Sequence, residues 1–260
     1  MNPINAFLRK ASGTLAGSAC LVLASGCQLV KTPFEAGMTS MVNPGTTVET
    51  TLDPSLQAYA EELFSSKDGY IVALDPGSGE VLAMLTTSVA ADTHAVIPLV
   101  WNSKENPGTS PLQLSAYCAA IANRGYCYMP HLGKGENVLR MNMTDNPDSI
   151  KAVVEQMWRD VNSAPGTGGR AWIAHVDGLD VCGRVAEVAG DGGTDSVFIG
   201  FAPMDAPQIA IAVCVEKGGP GARVAAPIGS LVIEHYLNGQ VSRTDLEHRM
   251  MAFGPKGRKK

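Results

Sequence analysis

Leu56, Tyr59, Ala60 and Leu63 recur at intervals of three and four, which predicts an amphipathic helix over residues 53–64. Asp53 stands at its N-cap and Pro54 in its first turn. Two β-rich runs, 70–74 and 80–86, flank Asp75-Pro76-Gly77-Ser78-Gly79, and this turn chemistry predicts a hairpin. Pro111 opens a second helix that runs to Asn123 and closes at Gly125. A third helix is predicted over 148–161, with a glycine-rich loop, 165–169, behind it. Strand-like runs follow at 179–189, 196–201 and 208–216. A last helix spans 225–237, begun near Pro227 and ended by Asn238-Gly239. The succession of helix, hairpin, helices, three strands and helix predicts an α+β domain. Its antiparallel sheet of about five strands is flanked by helices, with the opening and closing helices packed together on one face.

The 260 residues are 45% apolar and 17% charged, enough to bury a full core in one domain or two small ones. A formal net charge of -5 and a pI near 5.5 provide no basic field, so nucleic acid is not an expected partner. The one cationic cluster, Lys256, Arg258, Lys259 and Lys260, reads as a solvated end. At the other end, Arg9 and Lys10 precede an apolar and small-residue run, 11–26, which has the form of a secretory signal and is short for a membrane span. Leu23-Ala24-Ser25-Gly26-Cys27 resembles the lipobox of bacterial lipoproteins, which makes Cys27 the candidate lipidation site; an uncleaved anchor or cleavage near Cys20 are the alternatives. The domain reading is a signal at 1–27, a linker at 28–46, the folded domain at 47–241 and a tail at 242–260. The expected location is exported and periplasmic, held at the membrane through the N-terminus. Cys118, Cys127, Cys182 and Cys214 show neither C-x-x-C nor metal-ligand spacing with His94, His131, His175, His235 or His248. No metal and no cofactor is expected.

Several of these segments together resemble a known family. Thr51-Leu52-Asp53-Pro54-Ser55-Leu56-Gln57 is similar to the opening helix of the transpeptidase domain of class B penicillin-binding proteins. Ile71-Val72-Ala73-Leu74-Asp75-Pro76 with Gly79-Glu80-Val81-Leu82-Ala83-Met84 resembles its hairpin, and Pro111-Leu112-Gln113-Leu114 through Gly125 its T-P-L-Q-L helix. Ser196-Val197-Phe198-Ile199-Gly200-Phe201-Ala202-Pro203, Ile209 to Val213, and Ala225 to Leu237 resemble its closing strands and helix. The closing stretch looks most similar to elongation-type penicillin-binding protein 2 of Bacteroidetes-like bacteria. The resemblance implies a peptidoglycan D,D-transpeptidase fold and partners among cell-wall elongation proteins. Its strand order sets the strands of Cys182 and Cys214 two spacings apart, near 10 Å, beyond disulfide reach.

At the chemistry the resemblance ends. The family acylates the Ser of an S-x-x-K motif, where the Lys one turn on takes the hydroxyl proton. No Ser here has Lys three positions on, and none is followed two positions later by Asn, as the family's S-x-N requires. Where K-T-G should follow Val181-Cys182-Gly183 stand Arg184, Val185 and Ala186, three degenerate motif positions. The helical subdomain that carries the first two motifs in the family is replaced by the short connection 87–108. Its compact polar set, Ser103, Lys104 and Glu105, is no acyl-transfer arrangement, because adjacent side chains point apart. The reading is a noncatalytic transpeptidase-like protein of cell-wall synthesis with no catalytic residue. The alternatives are an active or residual D,D-transpeptidase, or a nonfunctional, internally deleted gene product.

Overall fold

The computed structural model describes residues 50–87, 101–103, 106–109, 111–134, 138–142, 147–164, 169–190 and 193–254. Helix α1 (Pro54–Phe64) starts where the sequence places it, with the Asp53 carboxylate accepting the Leu56 N–H at 2.9 Å. β1 (Gly69–Leu74) and β2 (Val81–Thr86) form the hairpin. Asp75 organises its turn by accepting from the Gly77 N–H and the Ser78 hydroxyl. Gly79 in that turn has φ +84°, and a Cβ on it would meet the Cβ of Tyr128 at 2.8 Å, so no other residue fits.

A ribbon of β3 (Trp101–Ser103) and β4 (Asn106–Thr109) precedes α2 (Pro111–Ala122). A second ribbon pairs β5 (Tyr126–Tyr128) with β6 (Arg140–Asn142). Then come α3 (Pro147–Asn162), a 3-10 turn at Trp172–Ala174, β7 (Cys182–Gly190), β8 (Gly193–Ala202), β9 (Ile209–Val215), α4 (Ala225–Asn238) and α5 (Thr244–Ala252). The main sheet has five strands in the order β2-β1-β9-β8-β7, each antiparallel to its neighbours.

Alternation along the strands builds two cores. Val72, Leu74, Ile199, Phe201, Ala212 and Cys214 face α2 and α3. Ile71, Ala73, Phe198, Ile211 and Val213 face α1, α4 and α5. The sheet is therefore buried on both faces, which explains why its strands read as continuous apolar runs. Phe198 sits where nothing but hydrogen fits around it: a Cβ on Gly183, Gly200 or Gly229 would lie 2.4–2.6 Å from its ring. The expected pairing of opening and closing helices is present: the Tyr59 ring of α1 stacks on His235 of α4 at 4.2 Å, and Ser55 contacts the same imidazole at 3.1 Å.

The free edge of β2 is closed by side chains of α1 and its approach. Asp53 N–H donates to Leu82 O, while the Gln57 amide accepts from Met84 N–H at 2.9 Å and donates to Met84 O at 3.1 Å. One amide thereby imitates a neighbouring strand and blunts the edge.

Three features differ from the sequence expectation. Residues 179–181 lie before β7, because Val176 and Leu179 close a small bridge there. β8 begins at Gly193, since the β7–β8 pairing continues to Gly190 opposite Gly193. The stretch read as a tail from 242 contains α5, whose Leu246 and Met250 are buried, so the folded unit runs past 241. What fixes α5 is polar. The fully buried Glu234 accepts from Ser242 N–H at 2.8 Å, Ser242 Oγ at 2.6 Å and Arg243 Nε at 2.8 Å. Burial alone would raise the pKa of Glu234, but these donors outweigh it and hold the carboxyl below its ordinary range.

Cys118, Cys127, Cys182 and Cys214 are buried free thiols. β8 stands between the strands of Cys182 and Cys214, as the strand order implied by the resemblance required.

Candidate functional site

Strand β7 forms the outer edge of the sheet order, and its alternation directs Cys182, Arg184, Ala186 and Val188 toward the α2/α3 face. Arg184 is the one charged residue among these four. It does not reach solvent: only 8% of it is exposed, and its Nε donates to Asp160 Oδ2 at 3.3 Å. Asp160 lies in the last turn of α3, 3% exposed, with its other carboxylate oxygen accepting from Gln156 Nε2 at 2.8 Å. The Asp160 carbonyl also accepts from Ala171 N–H, which ties the start of the 3-10 segment to the same helix end. The positive charge of β7 is thus neutralised within the domain, in a buried pair whose carboxylate is hydrogen-bonded at both oxygens.

The family model described as penicillin binding protein transpeptidase domain matches residues 107–234, from β4 through most of α4. These residues match the penicillin-binding protein transpeptidase family. Among curated proteins, the domain is 31% identical over 148 residues to the peptidoglycan D,D-transpeptidase PbpA of Mycobacterium tuberculosis, an alignment covering 50% of this chain and 30% of that protein. It is 25% identical over 167 residues to the peptidoglycan D,D-transpeptidase MrdA of Haemophilus influenzae, covering 52% of this chain and 25% of that protein. The chain thus spans less than a third of either relative. The transpeptidase fold is shared with solved structures. The D,D-transpeptidase domain of a peptidoglycan glycosyltransferase from Eggerthella lenta superposes with a TM-score of 0.60 at 14% identity, covering 74% of this chain and 83% of that one. Penicillin-binding protein 2 of Pseudomonas aeruginosa superposes with a TM-score of 0.58 at 18% identity, covering 77% and 81%.

The three positions that the resemblance sets against K-T-G separate in the structure. Arg184 and Ala186 lie on the α2/α3 face, whereas Val185 turns to the opposite face and packs on the α1/α4 core. Ala186 is 6% exposed, its methyl part of the α2/α3 core. Val185 therefore cannot act at one point with Arg184 and Ala186. Ser103 lies in β3, and Lys104, Glu105 and Cys27 lie outside the described residues, as do the stretches read as signal, linker and basic end. No helix among the described residues is long and apolar enough to cross a membrane.

The histidines disperse as well. His131 is buried with Nδ1 on Met129 O, His235 belongs to the Tyr59 stack, and His175 contacts Asn162 and Asp177. No cluster of three metal-ligating side chains occurs among the described residues.

Asp160, the partner of Arg184, is the residue that sequence reading missed, although it left a signal. A carboxylate in the last turn of a helix is disfavoured by the helix dipole, a cost that a cationic or donor partner offsets. A second buried charge, Lys67, follows α1 and is 2% exposed; its Nζ donates to Leu63 O at 2.6 Å. Burial with no carboxylate partner in hydrogen-bond range lowers its pKa to about 8. It caps the helix end.

Proposed function

We propose that this chain is a noncatalytic member of the transpeptidase family, exported to the cell envelope and acting in peptidoglycan synthesis by binding rather than by acyl transfer. The observation that carries the reading is the Arg184–Asp160 pair. Arg184 stands where the resemblance places the lysine of K-T-G, and its guanidinium is engaged by Asp160 instead of being presented to a substrate carboxylate. Arg184 cannot act as a base either, since guanidinium stays protonated at any relevant pH. The sequence supports the same reading. No Ser has Lys three positions on, and the connection between β2 and α2 is only residues 87–110, too little chain for the family's helical subdomain. The names of the relatives, both peptidoglycan D,D-transpeptidases, support the cell-wall setting. Cys27 is the proposed lipid anchor, and elongation proteins are the proposed partners.

The test is incubation of the purified chain with excess fluorescent penicillin, followed by denaturation and gel analysis. No covalent label is expected, for wild type or for a variant restoring Lys, Thr and Gly at positions 184, 185 and 186. A stoichiometric label mapping to one Ser would establish an acylating enzyme and end this proposal.

A further inference from the structure

The main sheet ends in two edges of different character. On β2 the Gln57 amide takes the place of a neighbouring strand, whereas β7 carries no such device among the described residues. β7 pairs with β8 from Cys182 opposite Phe201 to Gly190 opposite Gly193, with no bulge and no proline. No backbone group of residues 182–190 has a described hydrogen bond outside that ladder. The β3–β4 ribbon passes near β7 but closes a two-stranded sheet of its own. Long, regular edges of this kind pair with further strands unless charge, proline or a bulge blunts them. An inward-pointing charge is one such device, and Arg184 would supply it, but Asp160 cancels that charge inside the domain. Lysine is absent from the strand, and the exposed Glu187 is its one charge without a described partner.

We propose that β7 is a self-association edge, on which the β7 of a second copy pairs antiparallel and joins two sheets into one. A two-fold axis matches the strand with its own length, so the outward N–H and C=O groups of the overlap meet their complements. Residues directly opposite one another share a face of the sheet, so the axis must pass through a residue. Glu187 selects which one. With the axis at Glu187 two carboxylates face each other, and with the axis at Ala186 they are diagonal neighbours about 7–8 Å apart. With the axis at Val185 each Glu187 lies opposite Gly183 of the second copy, and the two carboxylates stand roughly 13 Å apart along the strand. That register also sets Val185, half-buried beside the α1/α4 core, against its own counterpart, a cross-strand pair of branched side chains. Axes nearer Cys182 shorten the overlap, which here spans 182–188. Strand pairing without a large packed apolar face makes the dimer an exchanging one rather than an obligate one. The inference rests on the edge alone and is independent of the acyl-transfer and cell-wall readings.

The experiment is sedimentation velocity of the full chain from dilute to concentrated solution, in a mild detergent that masks the apolar run 11–26. The wild type is expected to pass from monomer to dimer as concentration rises. Val185→Lys, which sets two ammonium groups face to face at the axis, should weaken the dimer about tenfold or more while its circular dichroism stays native. Val185→Cys should crosslink copies through a short bifunctional thiol reagent well above the wild-type background of the native cysteines, and Glu187→Cys should not. Hydrogen exchange should show the outward amides of β7 protected only at concentrations where the dimer forms. The inference is overturned if the wild type remains a monomer, if Val185→Lys dimerises like wild type, or if Glu187→Cys crosslinks as well as Val185→Cys. A monomer whose β7 amides are all protected at every concentration would mean that the chain closes its own edge, and that result overturns it too. Should Val185→Lys fail to fold, the crosslinking pair decides alone, and no crosslink from Val185→Cys above wild type counts against the pairing. A penicillin label would end the noncatalytic reading without touching this result.

Discussion

Replacing Asp160 by Ala should destabilise the domain by about 3–5 kcal/mol, the usual cost of stranding one member of a buried ion pair. The magnitude follows from what each partner can recover. Gln156, which donates to Asp160 Oδ1, is only half-buried and can turn to water. Arg184 cannot, because its side chain is 9% exposed and its described polar partner is the Asp160 carboxylate. Most of the penalty is therefore the uncompensated guanidinium. Asp160→Asn, which keeps an acceptor but not the charge, should lose less. The double variant Asp160→Leu/Arg184→Met removes both charges and should equal wild type or exceed it by about 1–4 kcal/mol. Urea unfolding followed by far-UV circular dichroism measures the differences, with an unchanged m-value marking a true stability change. In thermal unfolding a domain of this size loses about 2–4 °C per kcal/mol, so the single variant should melt roughly 6–20 °C lower. If Asp160→Ala matches wild type, or if the double variant is as unstable as the single, the pair is not the closed neutralising contact on which the functional reading depends.

Other substitutions test other parts of the architecture. Lys67→Met should raise stability at pH 7 by about 1–3 kcal/mol, the linkage value of lowering a lysine pKa from 10.5 to about 8 less the hydrogen bond to Leu63 O that the substitution removes. The sign is set by the unfolded chain binding the proton more tightly. The wild type is therefore penalised fully below pH 8 and recovers as pH rises toward 10.5; paired unfolding curves at pH 7 and 10 should show the gap closing, and a constant gap would refute the cause. Gln57→Ala strips the amide from the β2 edge, leaving Met84 N–H and C=O unpaired, and should cost about 1–3 kcal/mol, with faster exchange of the Met84 amide hydrogen. Gly229→Ala drives a methyl to within 2.4 Å of Phe198 and should cost about 1–3 kcal/mol, partly recovered by adding Phe198→Leu. A double-mutant cycle with no coupling would show that the cradle is looser than described.

Periodicity and punctuation alone determined the helices α1 to α4, the hairpin and the strands β7 to β9, because these elements are set by short-range chemistry. The Asp53 N-cap, the Asp75 turn and the Gly239 C-cap in the left-handed region are each decided within a few residues. The resemblance supplied the sheet order, which no local pattern contains. It also supplied the motif with which Arg184, Val185 and Ala186 can be compared letter by letter. α5 escaped notice because tertiary contacts hold it: the buried Glu234 of the preceding helix fixes Ser242 and Arg243, and Tyr59 donates to Glu247 at 2.7 Å across 188 positions. The β5–β6 ribbon escaped for the same reason, its strands being three residues each and stabilised by the hairpin turn behind them. The partner of Arg184 was the decisive case. The sequence carries an arginine on a strand and an aspartate 24 positions earlier at the end of a helix, and only the packing of α3 against β7 brings them within 3.3 Å. Whether a charge is offered to a ligand or neutralised inside the domain depends on distance and burial, and both are properties of the tertiary structure.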